Sequence, residues 1–113
     1  MSYRVDGTTI YLTRGDTFEA LVEAILPDSE GAEPYVPVEG DSVRFAMKAN
    51  YEDEKPLVIK DIPIDTMLLV LTPEDTKELP FGKYVYDIQI TYADGKVDTF
   101  IPKGRLRLTE EVD

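Results

Sequence analysis

At 113 residues the chain can bury one core but not two, and its 42% apolar and 31% charged residues are the balance of a globular domain. Twelve basic residues against 23 acidic ones leave a formal net charge of −11, a field that repels phosphate backbones and anionic lipid, so neither nucleic acid nor membrane is the expected partner. With no cysteine and no histidine, the chain lacks disulfides, thiolate chemistry, Cys-based zinc sites and the usual general base.

No stretch reaches the roughly 18 consecutive apolar residues of a membrane span, and Met1 to Asp6 has no apolar centre like that of a signal peptide. Synthesis in the cytoplasm is therefore expected. Strand signals recur at short spacing with Gly, Asp and Pro between them, the rhythm of an all-β protein. Thr9 to Thr13 alternates and opens the domain, and Gly15-Asp16 supplies a turn. Residues 17–25 support two readings. As a strand they place Phe18, Ala20, Val22 and Ala24 on one face. As a helix they place Phe18, Leu21, Val22 and Ile25 at i, i+3, i+4 and i+7, with Asp16 as cap and Pro27 as stop. The strand is preferred, because its neighbours are β and a sandwich needs a second strand over its first sheet.

Pro27 to Asp41, rich in Pro, Gly, Asp and Glu, predicts a long surface connection with room for a short edge strand at Tyr35-Val36. Ser42 to Ala49 puts Val43, Phe45, Met47 and Ala49 on one face and Arg44 and Lys48 on the other, which marks a central strand with one wet side. An acidic loop from Asn50 to Pro56 precedes the short run Leu57 to Lys60, and a Pro-containing connection follows through Pro63. Met67 to Leu71 is wholly apolar and suits a strand buried on both faces. Thr72-Pro73-Glu74-Asp75 reads as a helix start, with Thr72 as N-cap, and Pro80 and Gly82 stop it within about two turns.

Lys83 to Ala93 alternates best, with Tyr84, Tyr86, Ile88, Ile90 and Tyr92 on one face, and is expected to be the longest strand. Asp94-Gly95 predicts a two-residue type I′ hairpin returning as Lys96 to Ile101. Pro102-Lys103-Gly104 is expected to break that run before Arg105 to Thr109 closes the domain, and residues 110–113 read as a frayed tail.

Leu71, Asp75, Gly82, Tyr84 and Tyr86 narrow the fold further, because a short helical turn leading into a Gly-x-Tyr-x-Tyr strand is the pattern of a tyrosine corner. In that reading the Tyr84 hydroxyl bonds backbone upstream, while Tyr86 stands where antibody domains place a disulfide cysteine. Residues 1–113 are thus expected to form one domain, an all-β, immunoglobulin-like antiparallel sandwich of seven or eight strands with one short helical crossover.

No catalytic, cofactor-binding or metal-ligating residue is assigned. Carboxylate pairs are abundant in so acidic a chain, but glycoside hydrolysis by such a pair needs a deep groove that a small sandwich seldom provides. Asp28, Glu30, Glu52, Asp53 and Glu54 are hard oxygen ligands without the spacing of an EF-hand loop, and they read as solvated loop charge. Arg14-Gly15-Asp16 spells an integrin-recognition tripeptide, and residues 110–113 match the tail by which heat-shock chaperones engage tetratricopeptide-repeat proteins. These read as turn chemistry and a solvated terminus. Tyr35 and Tyr51 fall in loops and are the candidate loop contacts, which opens the alternative of a module binding carbohydrate or another small ligand.

The runs Leu12 to Thr17, Glu39 to Phe45 and Phe81 to Ile88 resemble small phage and prophage structural proteins, and the pattern is similar to the N-terminal β-sandwich of phage baseplate upper proteins. The resemblance implies a non-enzymatic, virion-associated structural or adaptor protein. Its implied partners are other virion proteins of tail, baseplate or capsid, or copies of itself. The implied location is the bacterial cytoplasm on synthesis and the virion thereafter. The chain departs from the long baseplate proteins in ending after one domain, so an adaptor, decoration or assembly role is implied rather than host binding.

Overall fold

The computed structural model describes residues 3–25 and 34–110. Among these described residues eight strands and one helical turn follow in order: β1 (Tyr3–Asp6), β2 (Thr9–Thr13), β3 (Phe18–Leu21), β4 (Ser42–Lys48), β5 (Val58–Ile62), β6 (Leu68–Leu71), α1 (Pro73–Thr76), β7 (Gly82–Thr91) and β8 (Val97–Thr109). Six strands form one sheet in the order β1-β2-β8-β7-β4-β5, and β3 and β6 form a second. Phe18, Leu69 and Leu71 of the small sheet share one buried core with Leu12, Phe45, Ile88 and Leu106 of the large one. The all-β sandwich expected from the alternation is therefore the fold.

It is not antiparallel throughout. β2 runs parallel to β8, with Ile10 beside Leu106 and Leu12 beside Leu108. The chain leaves β2 for β3 in the other sheet, so no hairpin joins β2 to β8 and none dictates their relative direction. Residues 18–21 are a strand, and a bridge between Ala24 and Tyr35 extends the pattern. The helical alternative would have buried Leu21, which is 75% exposed.

Several boundaries differ from expectation. β8, at 13 residues, is longer than β7, at 10, because Pro102 to Gly104 bends the strand without ending it. The register slips between Tyr86 opposite Gly104 and Ile88 opposite Ile101, so Pro102 sits in a bulge, where its missing N–H interrupts no ladder. The hairpin at Asp94-Gly95 is not type I′. Gly95 N–H donates to the Tyr92 carbonyl and Tyr92 N–H to the Lys96 carbonyl, so the loop holds three residues and only Gly95, at φ 93°, is left-handed. β6 is buried on one face only: Leu69 and Leu71 face the core, while Leu68 and Val70 lie half-buried on the other face, in a cleft bordered by Ile59 and Asp61 of β5. β4 ends at Lys48, leaving Ala49 exposed, and α1 is a single turn.

The tyrosine corner is present. The Tyr84 hydroxyl donates to the Pro80 carbonyl at 2.5 Å, fixing the entry of β7 beneath α1. Leu71 is buried beside it in sequence, and Asp75 binds the turn together, accepting from Thr72 N–H at 2.7 Å, Thr72 hydroxyl at 3.1 Å and Lys60 Nζ at 2.9 Å. Burial pushes the Asp75 carboxyl up, but those donors outweigh it and hold the group below its ordinary value. Tyr86 fills the interior where a disulfide is absent. Its ring lies 5.1 Å from that of Phe45, its hydroxyl donates to the Thr8 carbonyl at 2.5 Å, and burial pushes its pKa up to about 12. Gly104 makes this possible, since a Cβ there would stand 2.3 Å from the Tyr86 ring.

Candidate functional site

The alternation that sends Tyr84, Tyr86 and Ile88 into the core sends Lys83, Val85 and Asp87 to the outer face of the six-stranded sheet. Pairing then assembles charge from three strands. Lys83 on β7 lies opposite Arg107 on β8, while Val85 lies between Arg105 on one side and Lys48 on the other. Arg44 on β4 continues the face opposite Gln89. Five of the chain's twelve basic residues thus share one surface of a protein whose net charge is −11. The acids facing them on β5 and β7 are Asp61 and Asp87.

Lys83, Arg105 and Arg107 make no ion pair with any described residue. Like charges set directly opposite on a sheet destabilise it, so Lys83 across from Arg107 is an arrangement that folding does not explain. The loop after β4 borders this cluster. Together they enclose a shallow cleft of about 340 Å³, walled by Asn50, Tyr51 and Glu52 on one side and by Lys83, Val85, Arg105 and Arg107 on the other. Asp53 holds the loop in shape, accepting from Asn50 N–H at 3.0 Å while its own N–H donates to the Asn50 carbonyl. Tyr51, one of the two tyrosines singled out in the sequence, stands 48% exposed at the rim.

Tyr35, the other, is half-buried and committed elsewhere. Its hydroxyl donates to Asp41 Oδ2 at 2.7 Å and its ring meets that of Tyr92 edge-on at 5.6 Å. Asp41 also accepts from Val38 N–H at 2.9 Å and Ala93 N–H at 3.3 Å, tying the connection before β4 to the β7–β8 hairpin. The Val38 N–H and then the Tyr35 hydroxyl hold its carboxyl below the ordinary range. Burial and a bond to Asp98 push Tyr92 up to about 12. Tyr35 is a pin in this network, not an open stacking platform.

The remaining candidates are placed as follows. Asp28 and Glu30 lie outside the described residues, as do residues 111–113 of the tail. Among the described residues no group of three or more acidic side chains could hold a metal ion, so Glu52, Asp53 and Glu54 do not converge. Arg14, Gly15 and Asp16 form a turn, with Asp16 N–H donating to the Thr13 carbonyl. The Arg14 guanidinium donates to the Leu79 carbonyl at 3.2 Å and lies 4.0 Å over the Phe81 ring, so it faces the α1–β7 connection. No described helix is long and apolar enough to cross a membrane.

Compared with known protein families, curated proteins and solved structures, the chain matches none. The basic face escaped the sequence reading because Lys83 is 35 positions from Lys48 and 22 and 24 positions from Arg105 and Arg107. The signal that could have found them is the alternation itself, which assigns Lys83 and Val85, Arg105 and Arg107 to outward positions as firmly as it assigns their neighbours inward.

Proposed function

We propose that this chain is a non-enzymatic structural or adaptor protein that docks on acidic surfaces of partner proteins through the outer face of its six-stranded sheet. The carrying observation is the concentration of Arg44, Lys48, Lys83, Arg105 and Arg107 on one face of a strongly acidic chain. Such a patch repels wrong partners, steers an acidic surface into place and fixes its register. Val85 lies half-buried between Lys48 and Arg105, and the carboxylates of the face, Asp87 opposite Ala46 and Asp61 opposite Arg44, lie away from Lys83, Arg105 and Arg107 toward β5. The setting we propose is the phage or prophage virion, with tail, baseplate or capsid proteins as partners. Its support is the resemblance carried by Leu12 to Thr17, Glu39 to Phe45 and Phe81 to Ile88.

The Tyr51 ring at the rim of the cationic cleft favours a second reading, a module for an acidic saccharide or another small anionic ligand. An aromatic face beside cations suits such a ligand. One experiment separates the two. Particles are purified after prophage induction of the encoding bacterium and their proteins counted by mass spectrometry, with wild-type chain and with Lys83→Glu/Arg107→Glu. A fixed copy number that the double substitution abolishes supports docking in a virion. Absence of the wild-type chain from particles, together with saturable glycan binding that Tyr51→Ala removes, overturns it in favour of the second reading.

A further inference from the structure

We infer that one partner of the basic face is a second copy of this chain, bound through the outer face of the small sheet. The inference rests on the reading that the basic face docks protein, and it names the occupant. On β3 the side chains alternate strictly. Phe18 and Ala20 turn inward, while Glu19, Leu21 and then Glu23 turn outward. Register with β6 sets Val70 beside Glu19 and Leu68 beside Leu21. The outer face of this sheet therefore presents two exposed carboxylates flanking a leucine that is 75% exposed, with Leu68 and Val70 half-buried next to it. β3 and β6 contribute no basic residue to it.

The two outer faces of a sandwich look in opposite directions. Lys48, Lys83, Arg105 and Arg107 stand around Val85 on the outer face of the large sheet, and Glu19 and Glu23 stand either side of Leu21 on that of the small one, while Ile59 and Asp61 of β5 border a cleft with Leu68 and Val70 of β6 at the edge between the sheets. The two faces are opposite in sign, and neither matches itself. A twofold pair through the basic faces would set Lys83, Arg105 and Arg107 against their own copies. Contact between unlike faces is heterologous, so each copy leaves one face of each kind for the next, and copies grow into a ring or a stack rather than closing as a dimer. The overall charge of −11 opposes association at long range. At physiological ionic strength, where the screening length is about 8 Å, that repulsion is cut back while pairs in contact still attract.

The test is the mass of the purified chain by analytical ultracentrifugation, across rising concentration in about 0.15 M salt. Wild type gains mass with concentration. Glu19→Lys/Glu23→Lys and Lys83→Glu/Arg107→Glu each return it to monomer. The quadruple variant regains association, because exchanging both signs restores the match, a rescue that mere misfolding cannot produce. The milder Glu19→Gln/Glu23→Gln, checked for native circular dichroism, weakens association about tenfold, as loss of interfacial charge pairs does. A wild type that stays monomeric, association indifferent to both reversals, or a quadruple variant without rescue overturns the inference. If wild type is monomeric but Lys83→Glu/Arg107→Glu is still lost from particles, docking through the basic face stands and its occupant is a different virion protein.

Discussion

The two faces of the β7–β8 pair share one backbone and one register yet follow different rules. Inward, Tyr84 lies opposite Leu106 and Tyr86 opposite Gly104, and with Ile88, Ile90 and Leu108 they are buried. Gly104 is small because the Tyr86 ring lies on it, and Tyr86 is long because its hydroxyl must reach Thr8. Outward, Lys83 faces Arg107 across the strands with no counter-ion among the described residues. Stability alone would replace one of them. A sheet with one face in the core leaves the other free to carry charge for binding, at a small cost in fold stability.

Substitutions on the two faces sharpen that contrast. The largest effect is expected inside. Gly104→Ala forces a methyl into the Tyr86 ring, which must then shift and give up its bond to Thr8, or the bulge must open. Overpacking of this kind costs about 1–3 kcal/mol in urea unfolding. An unchanged midpoint would mean that the ring does not lie on β8 at all. Tyr84→Phe is a smaller internal change. It removes only the hydroxyl that donates to Pro80 and should destabilise by about 1 kcal/mol in the same assay, with the core left filled. Outside, Lys83→Thr should stabilise by about 0.2–0.5 kcal/mol, since it relieves repulsion with Arg107 and suits a strand, while weakening the docking we propose. Destabilisation by that substitution would show Lys83 to serve the fold and would remove the contrast between faces.

Much of the fold was legible because it rests on local rules. The period of two in Val43-Phe45-Met47 and in Tyr84-Tyr86-Ile88-Ile90 gave the inward face of two central strands, and Thr72, Pro73 and Asp75 marked the helical turn. The tyrosine corner was readable because Tyr84 bonds a carbonyl only four residues upstream. The length of β8 was misread because Pro102 normally ends a strand, and only pairing with β7 reveals the bulge that accommodates it.

Single-strand alternation by itself determined which side chains point in and which point out, since pleating fixes that within each strand. Tertiary structure alone decided which outward residues meet. The parallel partnership of β2 with β8, the commitment of Tyr35 to Asp41, and the gathering of Lys48, Lys83, Arg105 and Arg107 on one face all depend on strand order and register. Those are set by the whole core closing at once, because a strand carries no record of which neighbour it will pair with until the hydrophobic faces have found each other.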